Sequence, residues 1–253
     1  MSEATSVVPG WYGKIPALGD FASRRLPTRF ISQWDTWLQH GIATSRAQLA
    51  ERWLDLYLTS PIWRFALLPG VCGEHTWAGV LMPSVDKVGR HFPLTLAVAL
   101  APPVSIASVF AAHDWYAAIE RVALAALRLD GSLDDLEQDL ALHPFPLNPT
   151  PATAEQPESQ SLAQWWQSPI AEPLALPLNG AAHVEELVSA TMRSLFAAAS
   201  QGKSVWWSSD PDSGAGALHC CTGLPPHDYL RFLLQGGSQL TMDPANTWNS
   251  SQN

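Results

Sequence analysis

Charge is scarce in this sequence of 253 residues, and basic charge is scarcest. Fourteen Lys and Arg stand against 23 Asp and Glu, for a formal net charge of -9, and no long basic run offsets the balance. Such a chain repels phosphate backbones and anionic lipid, which excludes nucleic acid and membrane surfaces as favoured partners. Cysteine is nearly absent. Cys72, Cys220 and Cys221 are an odd count without regular spacing, and adjacent cysteines do not readily pair with each other, so no disulfide framework is expected. Long apolar runs are missing too: the longest, Leu94 to Ala107, is interrupted by Pro102 and Pro103 and falls short of the ~20 residues that span a bilayer. Residues 1–9 lack the basic start and apolar stretch of a secretory signal. A cytoplasmic location without membrane insertion is the expectation.

Catalytic signatures are also lacking. GxGxxG, GxSxG and HExxH do not occur, and Gly13-Lys14 is no phosphate loop, because Ile15 stands where Ser or Thr is needed. No Cys/His set has zinc-ligand spacing, and the eight His show no paired spacing. Cys220 reads as an inert thiol in an apolar strand, since a nucleophile needs a base and a positive environment nearby. The expectation is therefore no catalytic residues, no metal and no cofactor.

What the sequence has in excess is tryptophan, twelve in all, including the pairs Trp165-Trp166 and Trp206-Trp207. Neighbouring side chains in a strand point to opposite faces, so Trp206 and Trp207 imply either a sheet covered on both faces or one indole left for solvent or a partner.

Periodicity supplies the elements. Trp11–Ile15 reads as a short strand closed by Pro16 and a Gly19-Asp20 turn. After Pro27, residues Phe30, Ile31, Trp34, Trp37 and Leu38 form a helical stripe that Gly41 is expected to break or bend, and a second helix runs from Ser45 to Tyr57. Ile62–Leu68, Trp77–Met82 and Phe92–Leu100 are strand candidates, two of them near-continuous apolar runs of the kind found in strands covered on both sides. Ala111–Leu129 is the clearest helix, with Gly131 placed as its terminating glycine. Ser132 and Asp135 resemble a capping box opening an acidic helix to about Leu140. A second strong helix covers Val184–Ala199. Ser204–Ser208 and Ala217–Cys221 form a hairpin across Gly214-Ala215-Gly216, and His227–Leu234 makes a last short helix. The expected fold class is α/β, a three-layer α/β/α sandwich around a mixed, largely antiparallel sheet. The expected organisation is a flexible 1–9, one domain over 10–234 with a Pro-rich loop near 143–160, and a polar tail over 235–253.

Two loops are over-specified for mere connections: Gly10 to Phe21, followed by Arg24 and Arg25, and Met82 to Pro93. Lys14, Asp20, Arg24, Ser84, Asp86 and Arg90 are the candidate binding surface; Arg90 suits a bidentate carboxylate or phosphate contact. The alternative is that these groups only fix turns and ion pairs at the sheet ends.

The same loops carry a resemblance. GWYGKIPALGDF at Gly10–Phe21, WDTWL at Trp34–Leu38, PIWRFAL at Pro61–Leu67, GVLMPSVDKVGRHFPLT at Gly79–Thr95 and WWS at Trp206–Ser208 resemble the TagF family, also called ImpM. The resemblance implies an α/β/α sandwich and a cytoplasmic, non-enzymatic accessory of type VI secretion. It implies a post-translational repressor of assembly or firing, whose partner is the forkhead-associated scaffold protein Fha, with other secretion components as further partners. A structural or assembly subunit of the apparatus is the alternative, followed by a small hydrolase built on the Lys14, Asp20, Asp86 and Arg90 loops.

Overall fold

The computed structural model describes residues 7–18, 20–102, 104–128, 132–147, 157–169, 172–177, 181–209 and 216–236. Its framework is a seven-stranded sheet of β1 (Gly10–Gly13), β2 (Ala22–Arg24), β3 (Trp63–Leu67), β4 (Thr76–Met82), β5 (Leu94–Leu100), β6 (Lys203–Ser209) and β7 (Gly216–Thr222), in the order β2-β1-β5-β4-β3-β6-β7. Every pairing is antiparallel, so the largely antiparallel sheet expected from the hairpin spacing has no parallel pair among its described strands.

The apolar runs of β4 and β5 are buried along their length, because both faces are covered. Alternation divides their side chains between two cores. On one face Trp77, Leu81 and Ala97 join Trp63, Phe65 and Trp206 under α1 (Thr28–Leu49) and α2 (Trp53–Leu58). On the other, Ala78, Val80, Met82, Leu94, Leu96 and Val98 meet α3 (Ile106–Ala111), α4 (His113–Ala125) and α5 (Leu133–Leu142). Trp34 stacks on Phe30 and Trp206 in the first core and donates its indole N–H to Thr95 Oγ1 at 2.8 Å, so the one polar atom of a fully buried ring is satisfied. Trp206 and Trp207 divide as strand geometry demands. The first is fully buried in the α1 core; the second, half-buried, packs on Phe110 and Tyr116 across the sheet.

Several expectations are corrected. Gly41 does not interrupt α1; a Cβ there would meet the Leu230 side chain at 3.0 Å, so the glycine makes room for α8 (Leu230–Leu234). The break comes at Ala50, which turns at φ +47 into a 3₁₀ turn before α2. The helix expected over Ala111–Leu129 starts at His113 and ends at Ala125, preceded by the separate α3; Gly131 lies outside the described residues. The capping box is present: Ser132 Oγ accepts from the Asp135 N–H, and the Asp135 carboxylate accepts from the Ser132 N–H.

The 143–160 loop is shorter than expected. Phe145 bridges Val7, and Pro157 opens α6 (Pro157–Gln167), where a missing N–H costs nothing in the first turn; residues 148–156 lie outside the description. α6 packs on α7 (Ala181–Ser200), burying Ala163 and Leu187. Of the flexible 1–9, residues 1–6 lie outside the description, whereas the Pro9 carbonyl accepts from Arg25 Nε at 2.9 Å. Of the polar tail, residues 237–253 lie outside it, as do Gly19, Gly214 and Ala215. Cys220, expected in an apolar core strand, is exposed on β7.

Candidate functional site

The two loops meet at one end of the sheet, where β1 runs out beside the β4–β5 connection. Antiparallel pairing of β1 with β5 sets Gly13 opposite Leu94 and so brings Lys14 beside the 83–93 loop. A Cβ on Gly13, which sits at φ +136, would lie 2.1 Å from the Pro93 carbonyl oxygen, so only glycine permits this approach.

Asp86 is the hub. Its side chain is fully enclosed, and one oxygen accepts from Lys14 Nζ at 2.9 Å and Arg90 Nε at 2.6 Å. The other oxygen accepts from the backbone N–H of Val88 at 3.0 Å and of Arg90 at 2.8 Å. Burial alone would raise the carboxyl pKa. The hydrogen bonds from the Arg90 N–H, the Lys14 ammonium, the Arg90 guanidinium and the Val88 N–H override it and hold the group well below the usual carboxylate range. Lys14 is itself buried, and such a pair is tolerable only because the carboxylate is saturated with donors. Ser84 completes the lock: its hydroxyl donates to the Lys14 carbonyl at 2.7 Å. Tyr57 reaches up from α2 to hold Ser84 twice, donating its O–H to the Ser84 carbonyl at 2.9 Å and accepting from the Ser84 N–H at 3.0 Å.

Outside this buried lock the surface is mixed. Arg90 reaches from Asp86 towards Asp20, its Nη2 3.9 Å from Oδ1, with both side chains largely in solvent. Phe21 lies partly exposed beneath the Lys14 ammonium, 4.8 Å from ring centroid to nitrogen, and packs edge-on against Phe92 at 4.7 Å. Val88, at the loop tip, is 68% exposed. Five of the six candidate residues are thus brought together: Lys14, Asp20, Ser84, Asp86 and Arg90.

Arg24 is not among them. It pairs with Trp11 in the β1–β2 register and reaches Glu137 on α5 at 3.5 Å, on the far side of the sheet. Glu137 is also gripped by the Arg25 guanidinium and accepts the Trp11 indole N–H at 2.6 Å. Burial would raise its pKa, and these hydrogen bonds from Arg25 and Trp11 lower it instead. This second cluster ties the β1–β2 hairpin to α5.

Tyr57 and Glu137 escaped sequence reasoning. Each lies far along the chain from what it holds, and neither sits in a motif; only the helical stripe ending at Tyr57 hinted at burial. The catalytic prospects of the first cluster are poor, because its ammonium and carboxylate are paired with each other and its hydroxyl is spent on the Lys14 backbone carbonyl. Among the described residues no group of three or more His, Cys, Asp and Glu could hold a metal ion. Burial raises the Cys72 thiol to about 12 and the Cys221 thiol to about 11, which leaves both protonated. No helix among the described residues is long and apolar enough to cross a membrane.

The loops that build this lock fall within residues 10–142, and that span matches the model of the TagF N-terminal domain, type VI secretion system-associated. The chain belongs to the TagF family. It is also similar to PA0076 from Pseudomonas aeruginosa PAO1, known from a crystal structure, with 33% sequence identity and a TM-score of 0.68 over 90% of this chain and 94% of that one. No curated protein matches the sequence. The likeness to PA0076 extends well beyond the N-terminal TagF match, so the α/β sandwich is shared through most of the chain.

Proposed function

We propose that this TagF-family chain is a non-enzymatic cytoplasmic regulator of type VI secretion. It acts post-translationally as a repressor of assembly or firing by binding the scaffold protein Fha, and the outer side of the locked loop pair is its docking surface. The supporting observation is the division of labour around Asp86. Lys14, Ser84 and Asp86 are spent on each other inside the protein, while Arg90, Asp20, Phe21 and Val88 stand outward, with the Val88 and Arg90 backbone N–H groups tied to Asp86. A guanidinium beside an aromatic ring and an aliphatic tip, presented without loop ordering at the moment of contact, is the composition of an interface anchor.

The test is titration of the purified protein with its cognate Fha, alongside thermal melts. Arg90→Ala removes one of the four donors to the enclosed Asp86, so its melt should fall by less than that of Asp86→Ala, and it should weaken Fha binding at least tenfold. Asp86→Ala dismantles the lock and should lower the melt sharply. Full Fha affinity in both Arg90→Ala and Val88→Asp, or no Fha binding by the wild type, defeats this reading. Stoichiometric co-purification with the baseplate would put a structural subunit in its place.

A further inference from the structure

The two edges of the sheet are built differently. β2 is three residues long, ends in Arg24 and is followed by Arg25, the short and charged kind of edge that discourages further pairing. β7 is seven residues, Gly-Ala-Leu-His-Cys-Cys-Thr, with no charge and no proline, and among the described residues it pairs only with β6. Beside it, on the face opposite α1, lies an open groove of about 750 Å³ lined by Phe110, Phe196, Val205, Trp207, Leu218 and Cys220. Leu218 and Phe196 are each more than half exposed, and the apolar stripe continues up α7 through Met192, Val188 and Val184.

We propose that this edge and groove are a self-association surface, with β7 pairing against β7 of a second copy across a two-fold axis. Identical strands related by a two-fold pair antiparallel, the sense of every other pairing in this sheet. A register centred on His219 overlaps all seven residues and keeps like faces together. Leu218 then lies opposite Cys220 of the second copy on the groove side, while His219 keeps its place under Trp63 on the other face. Area favours a copy of this chain over a short peptide. The exposed parts of Val184, Val188, Met192, Phe196 and Leu218 sum to roughly 470 Å², in the upper half of the range for the largest apolar patch of a monomer and more than half of the ~800 Å² per partner in a standard interface. This inference does not rest on the Fha reading, since the groove and the Asp86 lock share no residue.

Sedimentation of the purified chain between about 1 and 100 μM tests it. The wild type should shift to twice the monomer mass across this range, and Leu218→Lys should move the midpoint at least tenfold higher. Leu218 is exposed, so the substitution leaves the core intact. Leu218→Cys should give a disulfide-linked dimer through Cys220 of the second copy when treated with diamide, each bond forming from two thiols as diamide is reduced to its hydrazine. A chain that stays monomeric throughout, or a dimer indifferent to Leu218→Lys, overturns the proposal. So does a monomer that captures a secretion component and loses it on Leu218→Lys, which would assign the edge to a strand of that partner.

Discussion

Tyr57→Phe removes one oxygen from the middle of the loop lock and leaves everything else in place. The ring is buried and stacks on Trp53 at 4.8 Å and against His91 at 5.6 Å, contacts that phenylalanine keeps. What is lost is a pair of hydrogen bonds to Ser84. The Ser84 carbonyl retains the Phe92 N–H at 3.1 Å, but the Ser84 N–H loses the phenol oxygen that accepted it. Orphaning one buried N–H costs about 1–3 kcal/mol. For a chain of this size each kcal/mol moves the midpoint by some 2–4 °C, so Tm should fall by about 2–12 °C. Melts followed by near-ultraviolet circular dichroism read this directly. Burial raises the Tyr57 phenol above its ordinary pKa, with the Ser84 backbone hydrogen bond opposing, so the loss should be the same at pH 6 and pH 8. A variant that melts within about a degree of the wild type would show that α2 does not hold the 83–93 loop, and the argument from the Asp86 lock to a rigid surface would fail with it.

Two further outcomes follow from other parts of the molecule. Gly79→Ala puts a Cβ 2.3 Å from the Leu96 carbonyl oxygen and 2.7 Å from the Phe65 ring in the centre of the sheet, so a loss of about 3 kcal/mol, the upper end of ordinary overpacking, is expected in urea denaturation; a neutral result would mean that β4 and β5 can separate without penalty. Acidification through the histidine range should destabilise the chain. Burial lowers the pKa of His219 below 6.5, and burial with the Arg46 charge lowers that of His91, so below pH 6.5 the unfolded chain takes up protons first and stability falls with pH until the folded histidines also protonate. His219→Gln should flatten the dependence of Tm on pH between about 7 and 5, and an unchanged slope would remove His219 as its source.

The central strands were legible because burial on both faces writes itself into the sequence as unbroken apolar runs, as in Leu94–Leu100. The capping box at Ser132 was legible for a similar reason, since its donors and acceptors lie within one turn. Where a residue answers to a distant neighbour, local signals misled. Gly41 reads as a breaker, but its smallness serves Leu230, 189 positions later. β2 was missed because three residues with a single apolar side chain carry no period. The loop residues stood out through their Gly, Pro and charge content, and five of them do converge. Arg24 shared that composition, yet its partner is Glu137 on the acidic helix α5, more than a hundred positions along the chain. Composition marks a loop as special without saying which charge it will meet.

The strand order also sets a timetable for synthesis. Gly13 finds its partner in Leu94, and the β3 edge waits for Trp206 and Trp207, so neither outer hairpin docks on the strand next to it in chain order. At ribosomal rates of about 5–20 residues per second, β1 would wait roughly 4–16 s for β5 to be made. After the small β1–β2 hairpin, the β3–β4–β5 meander, whose strands are neighbours in both sequence and space, is the next part of the sheet that can close upon itself, and the first with three strands. The N-terminal hairpin, made first, is incorporated late, and its Trp11 finds the core that buries it only when β5 and the helices after it have been made.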